Sequence, residues 1–402
     1  MKQETYIIDG IRSPIGSFGG VLSGVRADDL AAEVLKKLLE RNSSIDPSQI
    51  DDIILGCANQ AGEDNRNVAR MASLLAGIPY TVPAETVNRL CASGMSAVIH
   101  SHRALQTGDG HLFIAGGVEN MTRGPWVISK TSTAFGRDAK MYDSSFGWRF
   151  KNPALEKEYG CETMGETAEN LAEQYKINRK DQDQFAFWSQ QKTKIAIDKN
   201  KFSNEIMGIE VVIGKNEIRS VVQDEFPKPG STLDKLAQLK PAFRSGGTVT
   251  AGNSSGLNDG AAALLIASSQ ATKDYNLIPK ARIVSSAVVG VEPRIMGIGP
   301  VAACKKALQK AGLTLDQIEY IEINEAFAAQ VLACTRELGL QDDDPRINPN
   351  GGAIALGHPL GMTGARLIQT ASLELSGSTK KYALCAMCIG VGQGYAVILE
   401  RV

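Results

Sequence analysis

An internal repeat in the sequence constrains the fold more than any other feature. Residues 301–323 have the same order of features as residues 30–53: a helical pattern, a loop, Gln-Ile followed by an acidic residue, and an apolar strand. Cys91 follows the first copy at almost the same distance as His358 follows the second. We therefore expect two copies of one half-domain, related by a pseudo-twofold axis, with Cys91 and His358 at equivalent strand–helix junctions across a shared cleft.

The rest of the chain is arranged around these two copies. A chain of 402 residues is longer than one core usually organises, so we expect two or three core-bearing units. Strand-like and helical segments alternate in residues 1–120, which predicts a parallel or mixed sheet with helices on both faces, completed by residues 251–278. Residues 279–402 form the second half. Residues 121–250 differ in composition, being rich in Met, Trp, Lys and Asn, and are predicted to be an inserted loop domain.

The composition excludes several function classes. A formal net charge of −1 and a pI near 6.5 give no overall basic character for nucleic acid and leave only local patches open. The seven cysteines lack the spacing of a disulfide scaffold, so we expect a reducing compartment. No apolar run reaches membrane-spanning length, and the N-terminus enters a strand-like segment almost at once. We therefore expect a cytoplasmic protein without a bound metal and without nucleic-acid or membrane partners.

Cys91 is the first candidate for a reactive group. It stands between an extended run and a helical run that is rich in small residues, at positions 92–97. At a helix start, free N–H groups and the helix dipole stabilise a thiolate, so we expect a lowered pKa for this thiol. The alternative is a packing role, because free cysteine is among the most buried residue types.

His358 is the expected partner of Cys91. It lies in a glycine-rich stretch, residues 348–361, in which glycines permit close backbone approach. A neutral imidazole can accept a thiol proton and is the usual partner of a nucleophilic cysteine. A lone histidine is more often a hydrogen-bonded structural residue, but its position in the repeat favours catalysis here.

Two further stretches place polar groups at strand ends. Cys388 ends an apolar strand before a glycine-rich turn and forms a C-x-x-C with Cys385, which is typical of redox or zinc sites. A structural zinc site would need a second cysteine pair, so we interpret Cys388 as a separate acid or base. Asn324 follows the strand of the second repeat, where it can hold a water or a carbonyl, or cap a helix.

Together these stretches resemble the thiolases, over essentially the whole chain. The Cys91 block, Asn-Glu-Ala-Phe-Ala at 324–328, Gly-His-Pro-Leu-Gly at 357–361 and Cys-x-Gly at 388–390 match the family signatures in the family's order. The resemblance implies a duplicated α/β/α/β/α five-layer core with an inserted loop domain. It also implies a homodimer or homotetramer, and an acyltransferase that uses coenzyme A (CoA) as a co-substrate with no permanently bound cofactor.

The resemblance also implies roles for individual residues. Cys91 would attack the keto carbonyl of a 3-oxoacyl-CoA after losing its proton towards His358. Cys388 would protonate the leaving carbon and then activate CoA. Asn324 would hold a water at one oxyanion site, and the N–H groups of Cys91 and Gly390 would form the other.

Contacts to CoA and to the acyl group are implied at a few further positions. Ser255 matches a family position against the pantetheine arm, and Lys228 and Lys235 match positions near the nucleotide. Ordinary solvated lysines are the alternative for that pair. Met164 is expected to line the substrate site, within Thr-Met-Gly where the acetoacetyl-CoA branch commonly has His-Met-Gly.

The acyl substrate is suggested by two other segments. Residues 147–153 and 384–394 look like those of the 3-oxoadipyl-CoA (β-ketoadipyl-CoA) thiolases of aromatic catabolism. An acetyl-CoA acetyltransferase and a broad 3-ketoacyl-CoA thiolase are the alternatives. A 3-oxoadipyl group ends in a carboxylate, which needs a cation in the acyl pocket, and we expect Arg149 or Arg123 to supply it. Alternatively, Arg149 fixes the insertion to the core.

Three other classes of protein stay open at this level. A condensing enzyme of the ketoacyl-synthase type would share the fold and the thiol, but Cys-x-Gly at 388–390 favours a thiolase. A non-catalytic acyl-CoA carrier would bind without turnover. A C-x-x-C redox protein would have Cys385 and Cys388 as its reactive thiols.

Overall fold

One continuous mixed β-sheet runs through the computed structural model, which describes residues 3–213 and 217–402. Ten strands belong to this sheet, and four more form two separate hairpins in the described residues. In chain order the strands are β1 (Thr5–Arg12), β2 (Gly16–Ser17), β3 (Asp52–Gly56), β4 (Ala84–Val87), β5 (Leu112–Asn120), β6 (Trp126–Ile128), β7 (Met141–Asp143), β8 (Ile209–Ile213), β9 (Glu217–Val221), β10 (Asn258–Ser268), β11 (Ala281–Gly290), β12 (Tyr320–Ile323), β13 (Tyr382–Ile389) and β14 (Gln393–Arg401).

The helices cover the sheet and form most of the connections. No helix in the described part of the chain is long and apolar enough to cross a membrane. In chain order the α-helices are α1 (Ala27–Arg41), α2 (Val68–Leu75), α3 (Ser93–Thr107), α4 (Pro153–Tyr159), α5 (Met164–Gln174), α6 (Arg179–Asp198), α7 (Leu233–Ala237), α8 (Ser269–Asp274), α9 (Gly299–Ala311), α10 (Ala328–Glu337), α11 (Ala353–Leu356) and α12 (Leu360–Ser376).

The sheet consists of two halves with the same strand order. The orders β4-β3-β5-β10-β1 and β12-β13-β14-β11 share one pattern, in which parallel pairs are followed by antiparallel pairs. The counterpart of β4 in the second half is reduced to one parallel bridge between Ile321 and Ile347. In the described residues, strand pairing joins the halves at only two residue pairs, where Tyr6 and Ile7 of β1 lie against β11. The duplicated α/β core predicted from the repeat is confirmed.

Helices on both faces of each half produce five layers. α3 and α12 pack against each other in the middle layer, and α12 contacts strands of both halves. α1 and α2 cover the outer face of the first half, and α9 and α10 cover the outer face of the second half. This is the α/β/α/β/α arrangement expected from the sequence.

Side chains of the central strands alternate between these layers. In β10, Leu264 and Ile266 face the middle layer, whereas Leu265 packs on the side of α1. In β13, Met387 faces the middle layer and Leu384 faces the outer layer. Because both faces of these strands are buried, their sequences are continuously apolar rather than alternating.

The segment between β5 and β10 contains the two hairpins and the helices α4 to α7. α5 and α6 pack against α10 and α11 of the second half. A buried ion-pair network ties the segment to β1, in which Arg12 binds Glu205 at 2.8 Å and Asp224 at 2.7 Å. β10 then pairs with both β1 and β5, so the first half is built from two separate parts of the chain. The division into residues 1–120 with 251–278, 121–250 and 279–402 stays a prediction.

Glycines allow α3, α12 and β5 to touch through their backbones. A Cβ atom on Gly94 of α3 would lie 2.6 Å from the carbonyl oxygen of Gly361 in α12. A Cβ atom on Gly117 of β5 would lie 2.0 Å from the same oxygen. A side chain at either position would force the elements apart. This contact holds together the chain segments that carry Cys91 and His358.

Gly94→Ala is expected to lower the free energy of unfolding by about 1–3 kcal/mol, because the added methyl group overpacks the contact with α12. Replacing glycine by alanine in a helix interior by itself adds about 1 kcal/mol of stability. The cost of overpacking therefore has to exceed this gain for the variant to be less stable. Gly24→Ala is the matched control, because a Cβ atom there meets nothing within 4 Å. Urea unfolding of both variants measures the difference, and a Gly94→Ala protein as stable as the original would contradict the close contact.

Candidate active site

Cys91 lies in a 3₁₀ helix, Leu90–Ala92, between β4 and α3. Local side chains hold this turn: the side-chain oxygen of Asn88 accepts the Leu90 N–H at 2.8 Å, and the Ser93 hydroxyl donates to the Leu90 carbonyl at 2.7 Å. Leu90 has a φ of 48°, in the left-handed region that is unfavourable for residues with a side chain. The turn is therefore strained, and it presents Cys91 just ahead of the first turn of α3.

Two N–H groups point at the Cys91 sulfur. One belongs to Cys91 itself and the other to Gly390, and both lower the thiol pKa because they stabilise the thiolate. Burial has the opposite and larger effect, so the pKa of Cys91 is raised to about 11. The expectation of a lowered pKa is wrong, because the surroundings remove more solvation from the thiolate than the N–H groups replace. At neutral pH Cys91 is a thiol and needs a base.

His358 has the hydrogen bonds of such a base. Its backbone N–H donates to the side-chain oxygen of Asn258 at 2.9 Å. Its Nδ1 lies 2.8 Å from the Thr363 hydroxyl, which itself donates to the Pro359 carbonyl at 2.7 Å. Because a hydroxyl has one hydrogen, Nδ1 is the donor and Nε2 is left as the acceptor. Burial, and secondly Arg366, lowers the pKa of His358 to about 3, so the ring is neutral.

Asn324 lies directly beside the His358 ring. Its backbone N–H donates to the Ala386 carbonyl at 2.9 Å, which fixes it after β12. Its Nδ2 lies 3.4 Å from His358 Nε2. Its Oδ1 is buried and has no partner among the described residues. Leaving such an oxygen unpaired costs about 1–3 kcal/mol, so the position suits a water or ligand group that donates to it.

Cys388 is at the end of β13 and faces a small apolar cluster. Its side chain is buried with Phe327 and Met296, and Met164 packs against the same cluster. Burial raises the pKa of Cys388, and the neighbouring Cys91 sulfur raises it further. The structure therefore brings both thiols of the predicted site together.

Cys385 does not share this site. It faces the middle layer, and its thiol donates to the Leu367 carbonyl at 3.4 Å. Side chains three positions apart on a strand point to opposite faces of the sheet, so Cys385 and Cys388 are not placed to form a disulfide. Within the described residues no group of three or more His, Cys, Asp or Glu side chains is placed to hold a metal ion.

Gly390 begins the turn that follows β13. The next residue, Val391, has a φ of 63°, so this turn is strained like the turn at Leu90. A Cβ atom on Gly390 would lie 3.4 Å from the Met164 sulfur and 3.5 Å from the Leu90 side chain. Met164 therefore lies beside Gly390, and its place in the lining of the substrate site stays a prediction.

Ser255 lies beside the loop that carries Asn324. Its backbone N–H donates to the Ala326 carbonyl at 2.9 Å, and Ser254 forms an antiparallel bridge with Phe327. The side chain of Ser255 is half-buried. The structure thus places it within the same loop cluster as the catalytic candidates.

Lys228 and Lys235 are exposed and lie further out. The ammonium group of Lys228 is 5.2 Å from the centre of the Phe226 ring, and this ring contacts Gly256 next to Ser255. The ammonium group of Lys235 donates to the Gly230 carbonyl at 3.1 Å. Among the described residues neither lysine has a carboxylate in ion-pair range, so both charges are available to an anion.

The two candidate cations for a substrate carboxylate differ in their partners. Arg123 donates to the Glu63 carboxylate through two hydrogen bonds of 2.5 Å. Arg149 donates to the Ser144 carbonyl at 3.3 Å and has no carboxylate in ion-pair range in the described part of the chain. The charge of Arg123 is therefore already balanced, whereas the charge of Arg149 is not.

Glu119 is a site residue that sequence reasoning missed. Its buried carboxylate accepts the N–H groups of Ala58 at 2.9 Å, Asn59 at 3.0 Å and Gly361 at 2.9 Å. Burial nevertheless raises its pKa to about 7, and its charge raises the pKa of nearby Cys91. The carboxylate ties the loop after β3 to the start of α12. The one feature of the sequence that could have indicated Glu119 is its position as an acidic residue at the end of an apolar strand.

Comparisons with known proteins agree with this geometry. The family model of the thiolase N-terminal domain matches residues 5–270, and that of the thiolase C-terminal domain matches residues 277–401. The chain belongs to the thiolase family. The family and fold predicted from the sequence are confirmed, and this thiolase is an acyltransferase.

Relatives of this thiolase include enzymes that are named β-ketoadipyl-CoA or 3-oxoadipyl-CoA thiolases. It is 57% identical over 400 residues to a β-ketoadipyl-CoA thiolase of Acinetobacter baylyi, covering 100% of both chains. It is 56% identical over 400 residues to the 3-oxoadipyl-CoA/3-oxo-5,6-dehydrosuberyl-CoA thiolase of Escherichia coli K12, with the same coverage. A crystal structure of human mitochondrial 3-ketoacyl-CoA thiolase in complex with CoA is similar, with a TM-score of 0.91 and 40% identity, and the match covers 100% of this chain and 98% of that one.

Thr363→Val is expected to lower kcat by roughly tenfold or more, because it leaves the buried His358 Nδ1–H without an acceptor at a cost of about 1–3 kcal/mol and favours the wrong tautomer. Steady-state kinetics measure kcat, and ¹⁵N NMR of the imidazole reports the tautomer. Thr335→Val is the matched control, because Thr335 is also buried on a helix and donates to a carbonyl of its own helix at 3.1 Å. Equal kcat values for the two variants would refute the role of Thr363.

Proposed function

We propose that this thiolase cleaves 3-oxoadipyl-CoA with free CoA, giving succinyl-CoA and acetyl-CoA through a succinyl thioester on Cys91. The observation that supports it most is the position of the Cys91 sulfur, which accepts the Gly390 N–H and is near enough to Cys388 to raise the pKa of that thiol. Each half contributes to this site, and His358 stands at the start of the helix packed on α3. The substrate is supported by the names of the relatives.

In the first chemical step, the Cys91 thiol loses its proton as its sulfur attacks the substrate. Because the pKa of Cys91 is about 11 and that of His358 about 3, the pair is neutral at rest. His358 Nε2 takes the thiol proton as the sulfur attacks the 3-keto carbon. The N–H groups of Cys91 and Gly390 then stabilise the oxyanion, and losing one such donor typically costs about 3 to 4 kcal/mol of barrier.

The second step breaks the carbon–carbon bond. The electron pair of that bond leaves with the acetyl-CoA fragment as an enolate. Protonated His358 and a water on the free Oδ1 of Asn324 stabilise the enolate oxygen, and Cys388 donates its proton to the carbon. The raised pKa of Cys388 suits this role, because the thiol carries its proton until the carbanion needs it.

The third step transfers the acyl group to CoA. The Cys388 thiolate takes the proton of the incoming CoA thiol, and the CoA sulfur attacks the thioester carbonyl. Cys91 leaves as the thiolate and recovers its proton from His358. Since acetyl-CoA departs before CoA enters, kinetics are ping-pong. No bound cofactor takes part in this scheme, in which CoA is a co-substrate.

Further residues are assigned to substrate binding in this proposal. Ser255 contacts the pantetheine arm, and Met164 lines the acyl group beside Gly390. Lys228 and Lys235 bind the phosphates of the nucleotide, which their unpaired charges favour. Acetyl-CoA acetyltransferase and broad 3-ketoacyl-CoA thiolase activities are the alternatives, and the uncompensated charge of Arg149 favours a substrate with a carboxylate over both.

The assembly and location are part of the same proposal. β4 is an edge strand of the sheet, and Leu75 and Tyr80 near it are exposed. The β6–β7 hairpin also exposes apolar side chains, including Trp126 and Phe135. Exposed apolar groups of this kind support a homodimer or homotetramer. All seven cysteines are free thiols, which supports a reducing cytoplasm.

Mixing the enzyme with 3-oxoadipyl-CoA and quenching in acid is expected to leave a succinyl group on Cys91, detected by peptide mass spectrometry. Acetyl-CoA should likewise form acetyl-Cys91 and block its alkylation by iodoacetamide. Cys91→Ala is the variant that should carry no acyl group. Labelling of Cys385 and Cys388 ahead of Cys91 would favour a redox protein, and saturable acyl-CoA binding without an adduct would favour a carrier.

Arg149→Ala is expected to lower kcat/KM for 3-oxoadipyl-CoA by about ten- to a hundredfold, the value of a hydrogen bond to a charged group, and to leave 3-oxohexanoyl-CoA nearly unaffected. The uncharged substrate separates carboxylate binding from a general role in anchoring the insertion. Arg123→Ala is the matched comparison and should affect both substrates alike, since Glu63 already binds its guanidinium. Equal losses on both substrates in Arg149→Ala would remove Arg149 from the acyl pocket.

A further inference from the structure

The two N–H groups that face the Cys91 sulfur come from different halves of the molecule. The N–H of Cys91 belongs to the turn before α3, and the N–H of Gly390 belongs to the turn after β13. Each turn contains a strained residue, Leu90 with a φ of 48° and Val391 with a φ of 63°. A strained turn keeps its shape only where its surroundings hold it. The spacing of the two donors therefore depends on contacts between the turns.

Arg89 makes such a contact. Its Nη1 donates to the side-chain oxygen of Gln393 at 2.9 Å, and its Nε donates to the Ser96 hydroxyl at 2.9 Å. Its guanidinium lies over the Tyr395 ring, 5.8 Å from the ring centre. The Ser96 hydroxyl also hydrogen-bonds Tyr395. One planar group is thus held by three neighbours across the boundary between α3 and β14.

The two side chains of this contact lie close in sequence to the two residues whose N–H groups face the sulfur. Arg89 is two residues before Cys91, and Gln393 is three residues after Gly390. Among the described residues no carboxylate lies in ion-pair range of Arg89, so its guanidinium is engaged by neutral acceptors and a ring. A guanidinium is a rigid fork, and its hydrogen bonds fix direction as well as distance.

We infer that Arg89 and Gln393 form a positioning pair that sets the Gly390 N–H against the Cys91 sulfur and the oxyanion that forms on it. The inference rests on the proposed acyl transfer through Cys91. Neither side chain touches the substrate. Their contribution is to hold two strained turns from opposite halves in register, so that both N–H groups point at one place.

The test compares Arg89→Met, Gln393→Met and the double variant by rapid-quench acylation with acetyl-CoA. Methionine preserves much of the length of each side chain and removes its hydrogen bond. Each single variant is expected to acylate Cys91 ten- to a hundredfold more slowly. The double variant should be no slower than the slower single variant, because both single variants lose the same Arg89–Gln393 hydrogen bond.

KM for CoA in the second half-reaction should be unchanged. Arg103→Met, which removes an exposed arginine of α3 that has no hydrogen bond to Gln393, is the matched control.

A second measurement separates positioning from a structural role. The Gly390 N–H stabilises the thiolate, so losing its alignment should move the pH profile of Cys91 alkylation by iodoacetamide to higher pH in Arg89→Met. Thermal unfolding of each variant is measured in parallel. An unshifted profile with a lowered melting temperature would identify a structural contact and overturn the inference.

The remaining outcomes are also decisive. Acylation of Arg89→Met at the original rate, or additive losses in the double variant, would overturn the inference and leave the proposed function intact. Absence of any acyl-Cys91 in the unmodified enzyme would instead overturn the proposed function itself. Arg89→Lys should retain part of the rate, because an ammonium group can reach one of the two acceptors but has no fork geometry.

Discussion

The backbone contact between α3 and α12 holds the site together. The carbonyl of Gly361 lies where a side chain on Gly94 or Gly117 would have to be, so the two central helices approach as closely as peptide groups allow. Cys91 and His358 belong to different halves and have no nearby covalent connection. The approach of the two segments that carry them therefore depends on packing in the middle layer, since in the described residues the sheet joins the halves through only two residue pairs.

Burial at this contact also determines the state of the resting enzyme. The same loss of solvent raises the pKa of Cys91 to about 11 and lowers that of His358 to about 3, which opposes formation of an ion pair before substrate arrives. The sulfur therefore becomes a nucleophile only when a substrate carbonyl group is present for it to attack. Thr363 prepares the ring for this by holding the proton on Nδ1.

The repeat predicted the duplicated core because it is a pattern along the chain, and Cys91 stands between a strand and a helix as expected. His358 instead stands between α11 and α12, because the strand expected before it is reduced to the bridge at Ile347. The thiol pKa was predicted with the wrong sign, since the extent of burial depends on residues distant in sequence. Glu119 was missed for the same reason: its three N–H donors come from two separate segments. Arg89 and Gln393 lie within the stretches that mark the family, yet their pairing is visible only when both halves are in place.

The duplication is unequal at the two edges of the sheet. Beyond β12 the edge is occupied by the segment around Ile347, whereas beyond β4 the described residues place no further strand. A free strand edge is a template on which another polypeptide can pair. A molecule with one free edge strand can pair that strand with one partner, after which no free edge remains. Pairing of this edge with the same edge of a second copy would use both free edges and stop at two chains.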